Sequence, residues 1–283
     1  MFLDLLMRRN PIFIEAVQSL HQNGLLPTNA FILDLDVVRE NAALFKNEAD
    51  KLGLKTFAMT KQVGRNSSFC AALKKGGIDR VVAVDMAGAI ACSRAGLKIG
   101  HLGHLVQVPR GEAGFAATLK PDYWTVFNQA KAQEAAAAAN AINNNQALMA
   151  RIRAEGDIFY KGHEGGFIAN EIVQVANMFD ALEGGHFAGI TTFPALLFDL
   201  DSGKVKPTPN LATLTRAREA LEKTGRTNIE VNAPGTTSSS VLYALANAGA
   251  TQCEPGNGLH GTTPLHAVED LPERPAILYL SEV

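Results

Sequence analysis

The sequence predicts an α/β protein, specifically a TIM (β/α)₈ barrel, on three observations. Eight short runs of β-branched and apolar residues can be read along the chain, a helical stretch or a short turn follows each of them, and 283 residues is a common length for a single barrel domain. Eight strands separated by helices imply a parallel sheet with right-handed crossovers. Closure into a barrel is the economical arrangement, although periodicity alone leaves a doubly wound open sheet available.

In chain order, residues 2–23 read as an N-terminal helix, and FILDLD at 30–36 as a strand. A helix over about 37–52 follows, with Asp36 as its N-cap and Gly53 just past its end. The eight barrel runs are LKTFAMT (54–60), RVVAV (80–84), HLGHLV (101–106), DYWTVF (122–127), ALMARIR (147–153), HFAGITT (186–192), NIEVN (228–232) and TQCE (251–254). The alanine-rich helix 129–142 ends at the run Asn143, Asn144, Asn145, and another helix starts at Pro209, which suits a first helical position, and runs to Gly225. The runs 30–36 and AILYLSEV (276–283) fall outside the eight and read as pieces of a second, mostly β, region. The expected division is therefore an N-terminal helix over 1–28, a barrel over 29–272 with strand 30–36 pairing outside it, and over 273–283 the start of a missing or truncated C-terminal β-domain.

Composition excludes several classes of function. Hydrophobic residues make up 47% of the chain and the formal charge is −2, as expected of a soluble globular protein with a sizeable core. Lys and Arg are scattered, so no basic footprint for nucleic acid exists. No apolar run reaches spanning length, and the opening MFLDLLMRRNP has the wrong order of charge and apolar residues for a secretory signal. Three cysteines far apart, Cys70, Cys92 and Cys253, fit a reducing cytoplasm rather than a disulfide framework.

In a barrel the chemistry sits at the C-terminal ends of the strands. The first strand ends at Thr60-Lys61-Gln62, with Arg65 four residues beyond the lysine. A lysine there points into the barrel mouth, where a nearby cation and partial desolvation favour the free amine that a Schiff-base lysine needs. The seventh strand ends in Asn232-Ala233-Pro234-Gly235-Thr236-Thr237-Ser238, small and hydroxylic residues at a helix start, which suit an anion. The eighth ends in Glu254-Pro255-Gly256-Asn257-Gly258, a second glycine-rich turn. Loops after strands seven and eight are frequent phosphate sites in this fold. Each feature alone is also an ordinary solvated lysine or a capped turn; two anion-friendly loops facing a lysine favour the functional reading. His101 and His104 lie three apart, which on a strand puts them on opposite faces and argues against one shared metal. His163-Glu164-Gly165-Gly166 lacks the second histidine of a zinc motif.

These segments resemble the fold-type III pyridoxal-phosphate (PLP) family, the family of the alanine racemase N-terminal domain. TKQVGRN (60–66) is similar to its cofactor-lysine segment, and VNAPGTTSS (231–239) with CEPGNG (253–258) to its two phosphate-gripping loops. With GHLVQVP (103–109) and KPTPNL (206–211), the resemblance extends from about residue 28 to the end and is closest to the YhfX-type PLP-dependent proteins. It implies Lys61 as the cofactor lysine and Gly235, Thr236, Thr237, Gly256, Asn257 and Gly258 as phosphate contacts, with Asn232 beside them. Arg65 stands where alanine racemase has a phosphate-binding tyrosine, and Thr192 where it has a histidine. Glu254 stands where alanine racemase has an arginine at the pyridine nitrogen. A carboxylate there, as in the ornithine-decarboxylase-like branch, would keep that nitrogen protonated and the ring a strong electron sink.

The resemblance further implies a cytoplasmic enzyme of amino-acid metabolism acting at the α-carbon of a small-molecule amino-acid substrate, racemase-like and a possible homodimer. His163 is the candidate second catalytic residue, with His104 and Cys253 as other candidate proton donors. A PLP-dependent decarboxylase or lyase, a non-catalytic PLP-binding homeostasis protein, and a Schiff-base aldolase working without PLP are the alternatives.

Overall fold

The computed structural model describes residues 2–282; Met1 of the expected N-terminal segment and Val283 of the final strand-like run lie outside the described residues. The N-terminal segment is two helices rather than one, α1 (Phe2–Arg9) and α2 (Pro11–Gln22). The break is at Asn10, because Pro11 takes the first position of the second helix and disfavours helical backbone before it. Strand β1 (Ala30–Leu33) follows, then helix α3 (Leu35–Lys51). The N-cap of α3 is Asp34, not Asp36: its carboxylate accepts from Val37 N at 3.1 Å and from Asn10 Nδ2 at 3.0 Å. Two Asp residues flank Leu35, and the one also reached by α2's cap residue starts the helix.

The remaining strands are β2 (Lys55–Thr56), β3 (Ala58–Met59), β4 (Arg80–Ala83), β5 (Lys98–Leu102), β6 (Tyr123–Val126), β7 (Gln146–Arg153) and β8 (Phe167–Ile168). After these come β9 (Gly185–Thr191), β10 (Leu196–Asp199), β11 (Lys204–Pro207), β12 (Glu230–Asn232), β13 (Gln252–Cys253) and β14 (Ile277–Leu280). Pairing runs β2-β13-β12-β9-β7-β6-β5-β4-β3, all parallel. Strands β2 and β3 are halves of one strand interrupted at Phe57, so the path returns to its start and closes a barrel of eight staves. The sequence reading of eight parallel strands holds, and the open doubly wound alternative does not.

Two pieces stand outside the barrel sheet. Strands β1 and β14 form an antiparallel ribbon with Phe31 opposite Tyr279. Its Ile32, Leu278 and Leu280 pack on Leu6, Phe13 and Val17 of the N-terminal helices. The antiparallel pair β10–β11, which the sequence reading missed, is a hairpin inserted after β9. Helix caps repeat along the chain: Asn66, Asp85 and Asn128 each accept from a backbone N–H three residues on. The alanine-rich helix Gln129–Asn140 buries Ala132, Ala135, Ala136 and Ala139, and its small face lets Gly184 and Gly185 approach it closely. No helix among the described residues is long and apolar enough to cross a membrane.

Candidate active site

A cavity of about 250 Å³ opens at the C-terminal end of the barrel. Its wall includes Lys61, Gly235, Thr236, Thr237, Glu254, Gly256 and Asn257, drawn from the ends of strands one, seven and eight. Residues about 200 positions apart in sequence thus meet because the barrel closes, with β2 beside β13 and Met59 N donating to Pro255 O at 2.8 Å.

Lys61 begins a 3₁₀ turn (Lys61–Val63) directly past β3, and Gly64 ends it in the left-handed region at φ 61°. Arg65, the cation expected beside the lysine, turns away and pairs with Asp85 at 3.0 Å; it does not line the cavity. The two anion loops are packed on their neighbours. A Cβ on Gly235 would lie 2.3 Å from Leu196 O, and one on Gly258 would lie 2.7 Å from Thr237 O and 2.8 Å from Phe45. Glycine at 258 therefore lets the second loop rest on the first, although Gly258 itself is not on the cavity wall. The amide of Thr236 is committed to Leu196 O at 3.0 Å, so this residue can offer a ligand its hydroxyl rather than its N–H.

Glu254 is almost wholly buried. Asn232 Nδ2 donates to its Oε1 at 2.6 Å, and its Oε2 faces His104 Nε2 at 3.6 Å. Burial pushes the Glu254 carboxyl up to about 7, against the Asn232 hydrogen bond and the positive field of Lys61, which lower it. His104 is held well below the usual imidazole range, first by burial and then by Arg151 and other cationic groups. It is therefore neutral at physiological pH. Strand β5 ends at Leu102, and Gly103 turns the chain at φ 77°. The alternation argument for His101 and His104 consequently fails. His101 bonds Gln252 Oε1 at 2.6 Å against Phe57, while His104 reaches the cavity wall.

His163 does not line the cavity; its ring centroid is 6.2 Å from that of Phe193, which does. Cys253 is enclosed in β13 beside Thr56, and burial pushes its thiol up to about 12. Thr192 is buried toward Asn210, and the neighbouring Phe193 supplies the cavity wall. Two residues that the sequence reading passed over matter here. Tyr160, in the loop after β7, lines the cavity. Arg151, fully buried near the end of β7, donates to the carbonyls of His163, Gly165 and Phe193 at 2.7, 3.1 and 3.3 Å and lies over the Phe127 ring. Burial lowers its guanidinium to about 10, which leaves it charged. The signal was an arginine flanked by Ala150 and Ile152 inside an otherwise apolar strand run.

Four buried polar atoms on or beside the cavity floor have no hydrogen-bond partner among the described residues: Glu254 Oε2, His104 Nδ1 and Nε2, and Asn232 Oδ1. Buried polar atoms are otherwise almost always paired. The floor thus suits a ligand that brings a ring N–H, and the opposite loops suit its anionic group. An amine at the barrel mouth, a carboxyl floor and two anion loops share one cavity, a site that suits a small ligand with an anionic group.

Comparison with known proteins identifies the family. The model for "Alanine racemase, N-terminal domain" matches residues 33–264, and the chain belongs to that family, the fold-type III PLP-binding proteins. It is 40% identical over 283 residues to the uncharacterized protein YhfX of Escherichia coli (strain K12), covering all of this chain and 73% of that protein. Among solved structures it is similar to alanine racemase of Clostridium difficile 630 in complex with cycloserine, with a TM-score of 0.66 and 18% identity over 89% of this chain and 67% of that one. Diaminopimelate decarboxylase of Helicobacter pylori complexed with L-lysine gives 0.64 and 15% over 87% and 67%. D-threonine aldolase of Filomicrobium marinum gives 0.66 and 15% over 90% and 68%. At these identities the structural likenesses establish the fold.

Proposed function

We propose that this chain is a PLP-dependent enzyme acting at the α-carbon of an amino acid, with Lys61 as its cofactor lysine and proton exchange of the racemase type as its reaction. The observation that carries the reading is the single cavity on which Lys61, Glu254 and both anion loops converge. Bound PLP would supply an electron sink that weakens the bonds at the substrate α-carbon. The Lys61 amine would hold the carbonyl group of the cofactor, and as a free amine it could take or return a proton. The Thr236 and Thr237 hydroxyls and the Gly256–Asn257 turn would hold the phosphate. Glu254, positioned by Asn232, would serve the ring nitrogen as its acid–base partner. Phe193 and Tyr160 wall off one side of the cavity.

The test is the visible spectrum of the purified, PLP-supplemented protein before and after borohydride, with Lys61→Ala as control. A yellow band removed by borohydride and absent from Lys61→Ala supports the reading. A colourless protein that takes up no PLP overturns it and favours a Schiff-base aldolase. Incubation with L- and D-amino acids then separates reactions. Inversion marks a racemase and loss of CO₂ a decarboxylase, whereas a coloured protein that changes none of them is a PLP carrier. Glu254 favours an enzyme over a carrier, since a buried carboxylate at the ring nitrogen serves catalysis rather than retention.

A further inference from the structure

Behind the anion end of the cavity lies a buried polar chain that the reaction above does not use. Thr263 lines the cavity and is almost fully buried. Its Oγ1 is 2.6 Å from His266 Nδ1, and His266 Nε2 is 3.7 Å from Glu273 Oε2, with both side chains wholly enclosed. The other carboxylate oxygen, Oε1, accepts the backbone N–H of Ser239, at the end of the first anion loop. The second anion loop is tied to the same chain, because Thr262 N donates to Asn257 O at 3.0 Å. One His–Glu pair therefore joins both loops from behind. Neither Nε2 nor Oε2 has any other partner.

Asp4, Arg8, Glu269 and Asp270 line a surface pocket that His266 also borders. Arg9 of α1 donates to the carbonyls of Leu271 and Glu273. His260, from the turn Asn257–His260, bonds Thr262 Oγ1 at 2.8 Å and is lowered to about 4 by burial and then by His266. Asp270 pairs with Arg8 at the surface. None of them supplies a counter-charge to Glu273 in place of His266.

The hydrogen-bond polarity of this chain has two settings. With His266 neutral, its one N–H faces Glu273, Nδ1 accepts the Thr263 hydroxyl, and Thr263 presents lone pairs to the cavity, which repel an anion. With His266 protonated, Nε2–H still faces Glu273, Nδ1–H donates to Thr263 Oγ1, and the hydroxyl hydrogen is free to donate into the cavity. An anion in the loops favours the second setting, because only then does the Thr263 hydroxyl donate to it.

We propose that Thr263, His266 and Glu273 form a proton-linked relay, in which binding of a tetrahedral dianion at the loops takes up one proton from solvent at His266. No covalent bond other than that N–H forms or breaks. The proposal rests on the reading of these loops as the anion end of the site, but not on Lys61.

Sulfate tests it, because sulfate does not itself titrate near neutral pH. Calorimetric titration of the intact chain in buffers of different ionisation enthalpy reads the protons taken up per sulfate bound. The expected result is uptake approaching one proton. In Glu273→Gln, which keeps an acceptor for Ser239 N–H but loses the charge, uptake vanishes and affinity falls about tenfold. Thr263→Val, the second variant should Glu273→Gln not fold, loses affinity and uptake together. Sulfate binding without proton uptake, or uptake unchanged in these variants, overturns the relay. No sulfate binding at all overturns the relay and the anion-loop reading together, while the colour assay judges Lys61 separately.

Discussion

Asn232 Nδ2 donates to Glu254 Oε1 at 2.6 Å, and both side chains are enclosed at the floor of the cavity. Asn232 ends β12 and Glu254 directly follows β13, so the neighbouring strands of the closed barrel fix this contact. The hydrogen bond orients the carboxylate without neutralising it, and burial keeps its carboxyl raised to about 7.

That raised value makes a stability prediction. The folded carboxyl holds its proton up to about 7, whereas the unfolded one loses it near its ordinary value of 4.5. Between those limits the folded state binds more protons, so this group makes stability fall as pH rises, with no contribution below and a constant penalty above. The shift corresponds to about 3 kcal/mol as an order of magnitude. In urea unfolding of the cofactor-free protein, Glu254→Gln is expected to gain about 1–3 kcal/mol on the wild type at pH 8 and to converge with it near pH 4.5. A difference independent of pH would show that Glu254 does not titrate in this window.

Arg151 makes a different prediction. Its guanidinium holds the carbonyls of His163, Gly165 and Phe193, and so anchors the loop after β7 to the cavity wall. Arg151→Met keeps most of the volume but leaves those carbonyls unanswered in a buried place. The expected cost is about 1–3 kcal/mol, the scale of leaving buried acceptors unsatisfied. Hydrogen exchange is expected to rise over residues 158–167 first, because that segment loses its tether; uniform exchange across the chain would instead mean global destabilisation.

The barrel was legible in the sequence because each stave is a compact apolar run followed by a helix or a short turn, several of the helices with a side-chain cap. The cofactor-binding candidates were legible as local motifs: Lys61 after its strand, and the two glycine-containing loops that reach the cavity. What escaped was set by contacts distant in sequence. Asp34 rather than Asp36 caps α3 because Asn10 reaches it, and Arg65 leaves the cavity because Asp85 receives it. His101 is buried as well as His104, the candidate that reaches the cavity, because Gly103 ends the alternation of β5. His163 looked catalytic by position in a loop, yet it is not on the cavity wall, and Tyr160 of the same loop lines the wall instead.

Gly258 tests whether the two anion loops depend on each other's packing. A Cβ there would meet Thr237 O at 2.7 Å and the Phe45 ring at 2.8 Å, and neither backbone carbonyl nor buried ring can yield cheaply. Gly258→Ala is expected to cost about 1–3 kcal/mol in urea unfolding. It is also expected to weaken PLP retention in equilibrium dialysis, because the first loop must shift to make room. Stability and retention both unchanged would mean that the loops are looser than this packing implies.

Tyr160 separates proton removal from proton return. Its side chain lines the cavity beside Phe193, with ring centroids 5.5 Å apart, and half of it is exposed, so removing the hydroxyl disturbs little of the core. If Lys61 takes the α-proton on one side and the Tyr160 phenol supplies one on the other, Tyr160→Phe is expected to keep the yellow band and the melting temperature of the wild type. Solvent deuterium is then expected still to enter the α-position of the amino-acid enantiomer served by Lys61. Inversion is expected to fall about a hundredfold, the scale of one general acid–base group. Equal loss of exchange and inversion would assign Tyr160 to substrate positioning. Inversion at the wild-type rate would remove it from the chemistry and leave His104, an imidazole that also lines the cavity, as the group to replace next.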